Sequence, residues 1–239
     1  MTTFWKTIAA YNTATWIYQL IIIAIGLLLT FLLIRNPQRW VKTGMKLYLI
    51  SVYTWIAVIY YHIYSAERNY HNVMSLFWGV MTLAWIWDMT TGYTPFERNR
   101  KCNILAYVLI TTPLLYPIFS LMRGLNFPEM TSPVMPCSIV TFTMGLLLLF
   151  SRKVNLFIVL LLCHWSLIGL SKTYFFNIPE DFILASTSVP ALYLFFKEYF
   201  LSSLPKGTKP EVQYIKLLLK GVCAGIGVLL VTNLLNYFL

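Results

Sequence analysis

All three histidines of this chain, His62, His71 and His164, stand near other side chains able to bind a metal. His62 is followed by Glu67, which precedes His71. His164 directly follows Cys163, and Cys137 follows Met135 and Pro136. Imidazole, thiolate and thioether together suit soft or borderline ions such as Cu(I) or Zn(II). His62, Cys137 and His164 form the candidate ligand set, with Glu67, His71 and Met135 as further candidates. Pro136 suits the first turn of a helix, where its missing N–H costs nothing. Cys137 would then lie at the positive end of the helix dipole, which favours a thiolate. Cys137, Thr141 and Met144 would share one face. His62 and His164 also qualify as paired haem ligands, being on different segments at similar depth, although neither belongs to a haem-binding motif. A plainer reading stands beside these. The histidines hydrogen-bond within the packing, the cysteines fill space, and the acids and methionines have no special task.

Asp88, flanked by Trp85 and Trp87, is the clearest carboxylate inside an apolar run. An ionisable group there is a candidate for a proton or cation relay. It lies about 9 Å from the end of its segment, at 1.5 Å per residue. That is close enough for Lys46 or Arg98 to reach it and form a structural pair instead.

These residues lie in or beside eight apolar segments: Trp16–Ile34, Met45–Ala66, Val73–Tyr93, Ile104–Met122, Cys137–Phe150, Asn155–Ser171, Asp181–Leu201 and Tyr214–Phe238. Of the 239 residues, 59% are apolar and only 11% charged, with mean hydropathy +0.69. A soluble domain carries about 25% charged residues. The segments do not alternate as barrel strands do, and a backbone in lipid must satisfy its own polar groups, so they read as helices. The expected fold is all-α: a polytopic transmembrane bundle of about eight spans, one integral membrane domain over 1–239 with no soluble domain. No cleavable signal peptide is expected.

The net charge of +10 does not point to nucleic acid, because the basic residues sit in short clusters between apolar runs, as in cytoplasmic loops. With both termini outside, eight spans leave only Lys6, Arg68, Arg123 and Lys172 of the 18 basic residues on the outer side. The expected partners are the lipid bilayer and a small solute or metal ion. The fifth segment, 14 residues long, covers about 21 Å of a roughly 30 Å core. The irregular stretch 126–136 before it is expected to dip into the membrane, buried in protein or lining a cavity. Pro113 and Pro117 should kink the fourth helix, and Pro190 the seventh. The four cysteines form no C-x-x-C pair. There is no H-E-x-x-H motif, no phosphate-binding glycine loop, and no lysine deep enough in a segment for a retinal Schiff base.

The fragments Tyr11-Asn12…Trp16…Gln19, Trp55…Tyr61-His62, Met135-Pro136-Cys137…Thr141-Phe142-Thr143…Gly145 and Glu180-Asp181 resemble an uncharacterised family of bacterial multi-helix integral membrane proteins. The resemblance extends over most of the chain. It implies a bacterial cytoplasmic membrane and supplies no activity. It also implies a second proline after Cys137, where this chain has Ser138. The leading expectation is a small transporter or membrane binding protein for a metal ion or solute, entered from the outer face. The alternatives are a membrane-embedded redox protein with haem between His62 and His164, and a structural accessory subunit.

Overall fold

The structure, a computed structural model, describes residues 3–68, 70–98, 103–150, 153–176 and 181–197. The regular elements among them are helices. They are α1 (Thr3–Arg35), α2 (Arg39–Trp55) running on as a π-helix over Ile56–Tyr64, α3 (His71–Thr91), α4 (Asn103–Met122), α5 (Pro136–Leu149), α6 (Leu156–Phe176), α7 (Asp181–Ser186) and α8 (Ser188–Phe196). The first seven apolar segments each coincide with a helical stretch, α7 and α8 together making the seventh. The eighth, Tyr214–Phe238, lies outside the described residues. Four stretches are long and apolar enough to cross a membrane: Thr3–Arg35, Arg39–Tyr64, His71–Thr91 and Asn103–Met122. Pro136–Leu149, Leu156–Gly169 and Asp181–Phe196 are shorter apolar helices.

The chain divides into two compact units, Met1–Ile158 and Val159–Leu239. In the first, α1 begins well before the apolar run that marks it in the sequence. The reason is a stripe of polar residues, Tyr11, Asn12, Thr15 and Gln19, buried on one face. They bond to the protein, so the helix continues where hydropathy falls. The opposite face of α1 is exposed and apolar, from Trp16 to Phe31.

At the heart of the unit is α5. Every residue of it except Cys137 is buried, so its 14 residues need not match the thickness of a bilayer. It packs most extensively on α4, and Gly145 sets the approach. A Cβ there would lie 2.8 Å from both Ala106 O and Ile110 N. Small residues at such crossings let two backbones come close. Pro113 and Pro117 both lie inside α4, which runs through them unbroken to Met122.

The first unit has two distinct ends. At one, Lys46 of α2 meets Asp88 of α3, Asn155 N–H donates to Thr94 Oγ1 at 3.2 Å, and Lys153 lies over the Tyr93 ring at 4.5 Å. This end also carries the α1–α2 turn with Arg35 and Arg39. At the other end, Arg68 donates to Phe4 O at 3.2 Å, and α1 meets the stretch 128–134. Consecutive helices of this unit therefore run up and down between the ends.

In the second unit, α6 and α7 cross closely at Gly169, where a Cβ would meet Leu184 Cδ2 at 2.9 Å. Ser166 and Thr187 share a hydrogen bond of 2.6 Å. The break between α7 and α8 falls at Thr187. Pro190 explains it, since proline has no N–H to give the Ser186 carbonyl one turn back.

Candidate functional site

The strongest concentration of buried polarity is built on the last turn of α3. Asp88 is fully buried and Lys46 nearly so. Lys46 Nζ lies 2.7 Å from Asp88 Oδ2 and also donates to Asp88 O at 2.9 Å. The other oxygen, Oδ1, accepts from Thr94 N at 3.2 Å, Thr94 Oγ1 at 2.8 Å and Asn155 Nδ2 at 3.3 Å. A carboxylate in the last turn of a helix faces the negative end of the dipole, so the Lys46 ammonium compensates both the charge and the dipole. Gly92 makes the turn possible. Its φ is +65°, and its N–H closes the helix onto Asp88 O at 3.0 Å, the usual left-handed cap.

Aromatic packing seals this network. Phe96 is fully buried, with its ring parallel to Trp85 at 6.4 Å and edge-on to Phe150 at 6.1 Å. Its φ of +48° is unusual for a side chain of this size, and burial between these two rings holds it there. Further along the unit, Tyr53 stacks on Trp78 at 5.2 Å and donates to Thr143 Oγ1 at 3.0 Å. Of the two pairings open to Asp88 in the sequence, the structure shows the one with Lys46.

A second polar cluster fixes the irregular stretch before α5. Asn12 donates to Pro128 O at 2.8 Å and Met130 O at 2.7 Å. The Tyr11 hydroxyl donates to Val134 O at 2.8 Å and accepts from Trp55 Nε1 at 3.0 Å. Gln19 donates to Asn12 Oδ1 at 3.3 Å and to Thr15 Oγ1 at 2.9 Å, so the stripe on α1 orients itself. Ser120 and Thr131 share a hydrogen bond of 2.7 Å. Ser138, standing where the resemblance implies a proline, donates to Ser132 O at 2.9 Å. Only the second part of the stretch is buried in protein, through Thr131, Ser132, Val134 and Met135, while Asn126, Phe127 and Glu129 are exposed, so the expected burial of 126–136 holds for that part alone.

The residues singled out as ligands are distributed otherwise. His62 is exposed in the π-helical end of α2, and Glu67 is exposed in the turn beyond it. His71 opens α3, with Nδ1 2.7 Å from Arg68 O. Cys137 is half-buried in the first turn of α5, directly after Pro136, as its sequence context suggests. Met135 is buried, and its sulfur accepts the Ser132 N–H at 3.4 Å. These belong to the first unit. His164 is exposed and Cys163 half-buried on α6, in the second. Among the described residues there is no group of three or more His, Cys, Asp or Glu side chains placed to hold a metal ion.

Sequence reasoning missed Thr94 and Asn155, whose role appears only once the turns after α3 and α5 meet. It also passed over the stripe at positions 11, 12, 15 and 19 as chemistry. Its near-four-residue spacing, which puts the side chains on one helical face, was the available signal.

No curated protein and no solved structure matches the chain. Residues 1–206 match the profile of one family. That match takes in the ion pair, the α1 stripe and both units' described helices, and by it the chain belongs to the family of unknown function DUF6064.

Proposed function

We propose that this chain is a multi-pass protein of a bacterial cytoplasmic membrane, and that its first unit works as a rigid helical scaffold for an accessory role. The observation that carries the scaffold reading is that protein groups engage both oxygens of Asp88, Oδ2 through the Lys46 ion pair alone. Both carboxylate oxygens are engaged by protein groups, from α2, from the turn after α3 and from the start of α6. A relay carboxylate must exchange its partner with water or a cation. This one is used to tie three parts of the chain together. The membrane reading is supported by the four long apolar helices and by the up-and-down course of the first unit. The end bearing Arg35, Arg39, Lys42, Lys46, Arg98 and Lys153 is the basic one, and the positive-inside rule turns it to the cytoplasm. Eight spans with both termini outside, in a single membrane domain, complete this reading, with Tyr214–Phe238 as the last span.

A second reading, passage or binding of a small solute or metal ion, is favoured by α5. A short helix, buried except at Cys137 and entered through irregular backbone that is buried from Thr131 on, resembles the interrupted helices used for midplane sites in transporters. His62, Cys137 and His164 are its proposed ligands, or His62 and His164 those of a haem. The test is elemental analysis and an absorption spectrum of the protein purified in mild detergent after loading with zinc and reduced copper. A variant with alanine at all three positions is measured alongside. The scaffold reading expects no stoichiometric metal, no Soret band and an equally stable variant. Near-stoichiometric metal or haem, lost from a still-folded variant, would overturn it in favour of binding.

A further inference from the structure

We propose that the groove between α1 and α2 binds one acyl chain of an anionic glycerophospholipid, whose phosphate is held by Arg35 and Arg39. This rests on the membrane reading above. The groove has a volume of about 450 Å³ and is lined by Tyr18, Ile21 and Leu29 of α1 and Gly44, Ser51 and Trp55 of α2, among others. That is within the roughly 300–1,000 Å³ of ordinary ligand pockets. Ser51 Oγ donates to Leu47 O of its own helix at 2.9 Å, so its polarity is already satisfied and the wall behaves as apolar surface. Gly44 contributes no side chain, which keeps the groove open beside Leu29.

From Tyr18 to Leu29 the helix rises about 16 Å at 1.5 Å per residue. With the apolar run Trp16–Ile34 crossing a core of roughly 30 Å, the groove passes the midplane and takes an acyl chain in extended form. Leu29 and Gly44 are the lining residues nearest the α1–α2 turn. Arg35 ends α1 and Arg39 begins α2, about 9 Å beyond Leu29 and about 8 Å beyond Gly44 along their helices. That is the level at which a phosphate follows the glycerol of a lipid whose chain enters the groove. Trp40, largely exposed, marks the interface at the same level. No carboxylate precedes Glu67, so the hairpin itself offers Arg35, Arg39 and Lys42 no counter-charge. Clusters of this kind at the cytoplasmic surface attract anionic lipid. A second copy of the chain is a poorer occupant, because it would bring two identical basic turns together.

The experiment has three steps on the full chain. Alkaline carbonate extraction of membranes first checks integration. Release of the chain into the soluble fraction would defeat the membrane reading and the lipid proposal with it. The integral protein is then purified in mild detergent, and retention of phosphatidylglycerol and of phosphatidylcholine with identical chains is compared by native mass spectrometry. The proposal expects about a tenfold preference for phosphatidylglycerol, or about 1.4 kcal/mol. It expects Arg35→Gln/Arg39→Gln to abolish that preference, and Ser51→Phe, which fills an exposed part of the groove, to reduce retention of both lipids. Unchanged elution and melting of the variants confirm that they fold. Equal retention of the two lipids by the native protein, a preference surviving in folded Arg35→Gln/Arg39→Gln, or unchanged retention of both lipids by folded Ser51→Phe overturns the proposal. A lipid-independent dimer abolished by Ser51→Phe overturns it too and gives the groove to a second copy.

Discussion

Asp88→Asn should destabilise the folded protein by about 3–5 kcal/mol, the cost of leaving a buried charge without its partner. Asparagine keeps an acceptor for Thr94 and is nearly the same size, so packing is little changed. What it removes is the negative charge opposite Lys46 Nζ, 2.7 Å away. The ammonium is then left nearly buried, at the 6% exposed Lys46, with only the Asp88 carbonyl and whatever the amide oxygen supplies. Thermal melting in detergent, followed by size-exclusion, reads the loss directly. The double variant Lys46→Met/Asp88→Asn should be more stable than Asp88→Asn, because it removes the stranded charge while the amide oxygen still accepts from Thr94 and Asn155. A double variant no better than Asp88→Asn would mean that the tie itself, and not the balance of charge, holds the turns of α3, α5 and α6 together.

Gly145→Leu is expected to cost about 3 kcal/mol or more and to separate α4 from α5. The first atom added already conflicts with main chain. A Cβ would stand 2.8 Å from Ala106 O and Ile110 N and 2.9 Å from Leu109 Cβ. Main-chain atoms cannot rotate away as a side chain can, so the helices must shift. Overpacking of this kind typically costs about 1–3 kcal/mol even where neighbours adjust. Alanine is a less decisive choice, since it recovers about 1 kcal/mol of helix propensity relative to glycine. Leucine at Gly79, where a Cβ would meet nothing within 4 Å, is the control and should melt close to the native protein. Equal melting of Gly145→Leu and Gly79→Leu would show that α5 is not held against α4 as described.

Much of the fold was legible in the sequence because hydropathy and helix formation coincide in long apolar runs. Ile104–Met122 became Asn103–Met122 almost unchanged, since exposed apolar residues occur all along it. The start of α1 was not legible, because Thr3–Thr15 pays for its polar residues with bonds to a segment more than a hundred positions away. No local pattern announces such partners. The π-helix over Ile56–Tyr64 was equally invisible. It buries the adjacent Tyr60 and Tyr61 together and leaves His62 outside. The proposed ligand set was chosen by residue type and approximate depth, and depth says nothing of which way a side chain faces. Asp88 was different. A buried carboxylate near a helix end has few basic groups within reach, and Lys46 was one of the two that the sequence offered.

The measurement that bears most directly on the whole account is a cysteine-labelling map on intact cells, with the four native cysteines replaced by serine. Single cysteines are introduced at Gln38, Glu67 and Glu129, all exposed positions in turns at the two ends of the first unit. A membrane-impermeant maleimide should label the Glu67→Cys and Glu129→Cys proteins on intact cells, and Gln38→Cys only after the cells are opened. Labelling of Gln38→Cys on intact cells, with the other two protected, would invert the orientation. Labelling of all three alike would contradict the crossing of the membrane itself.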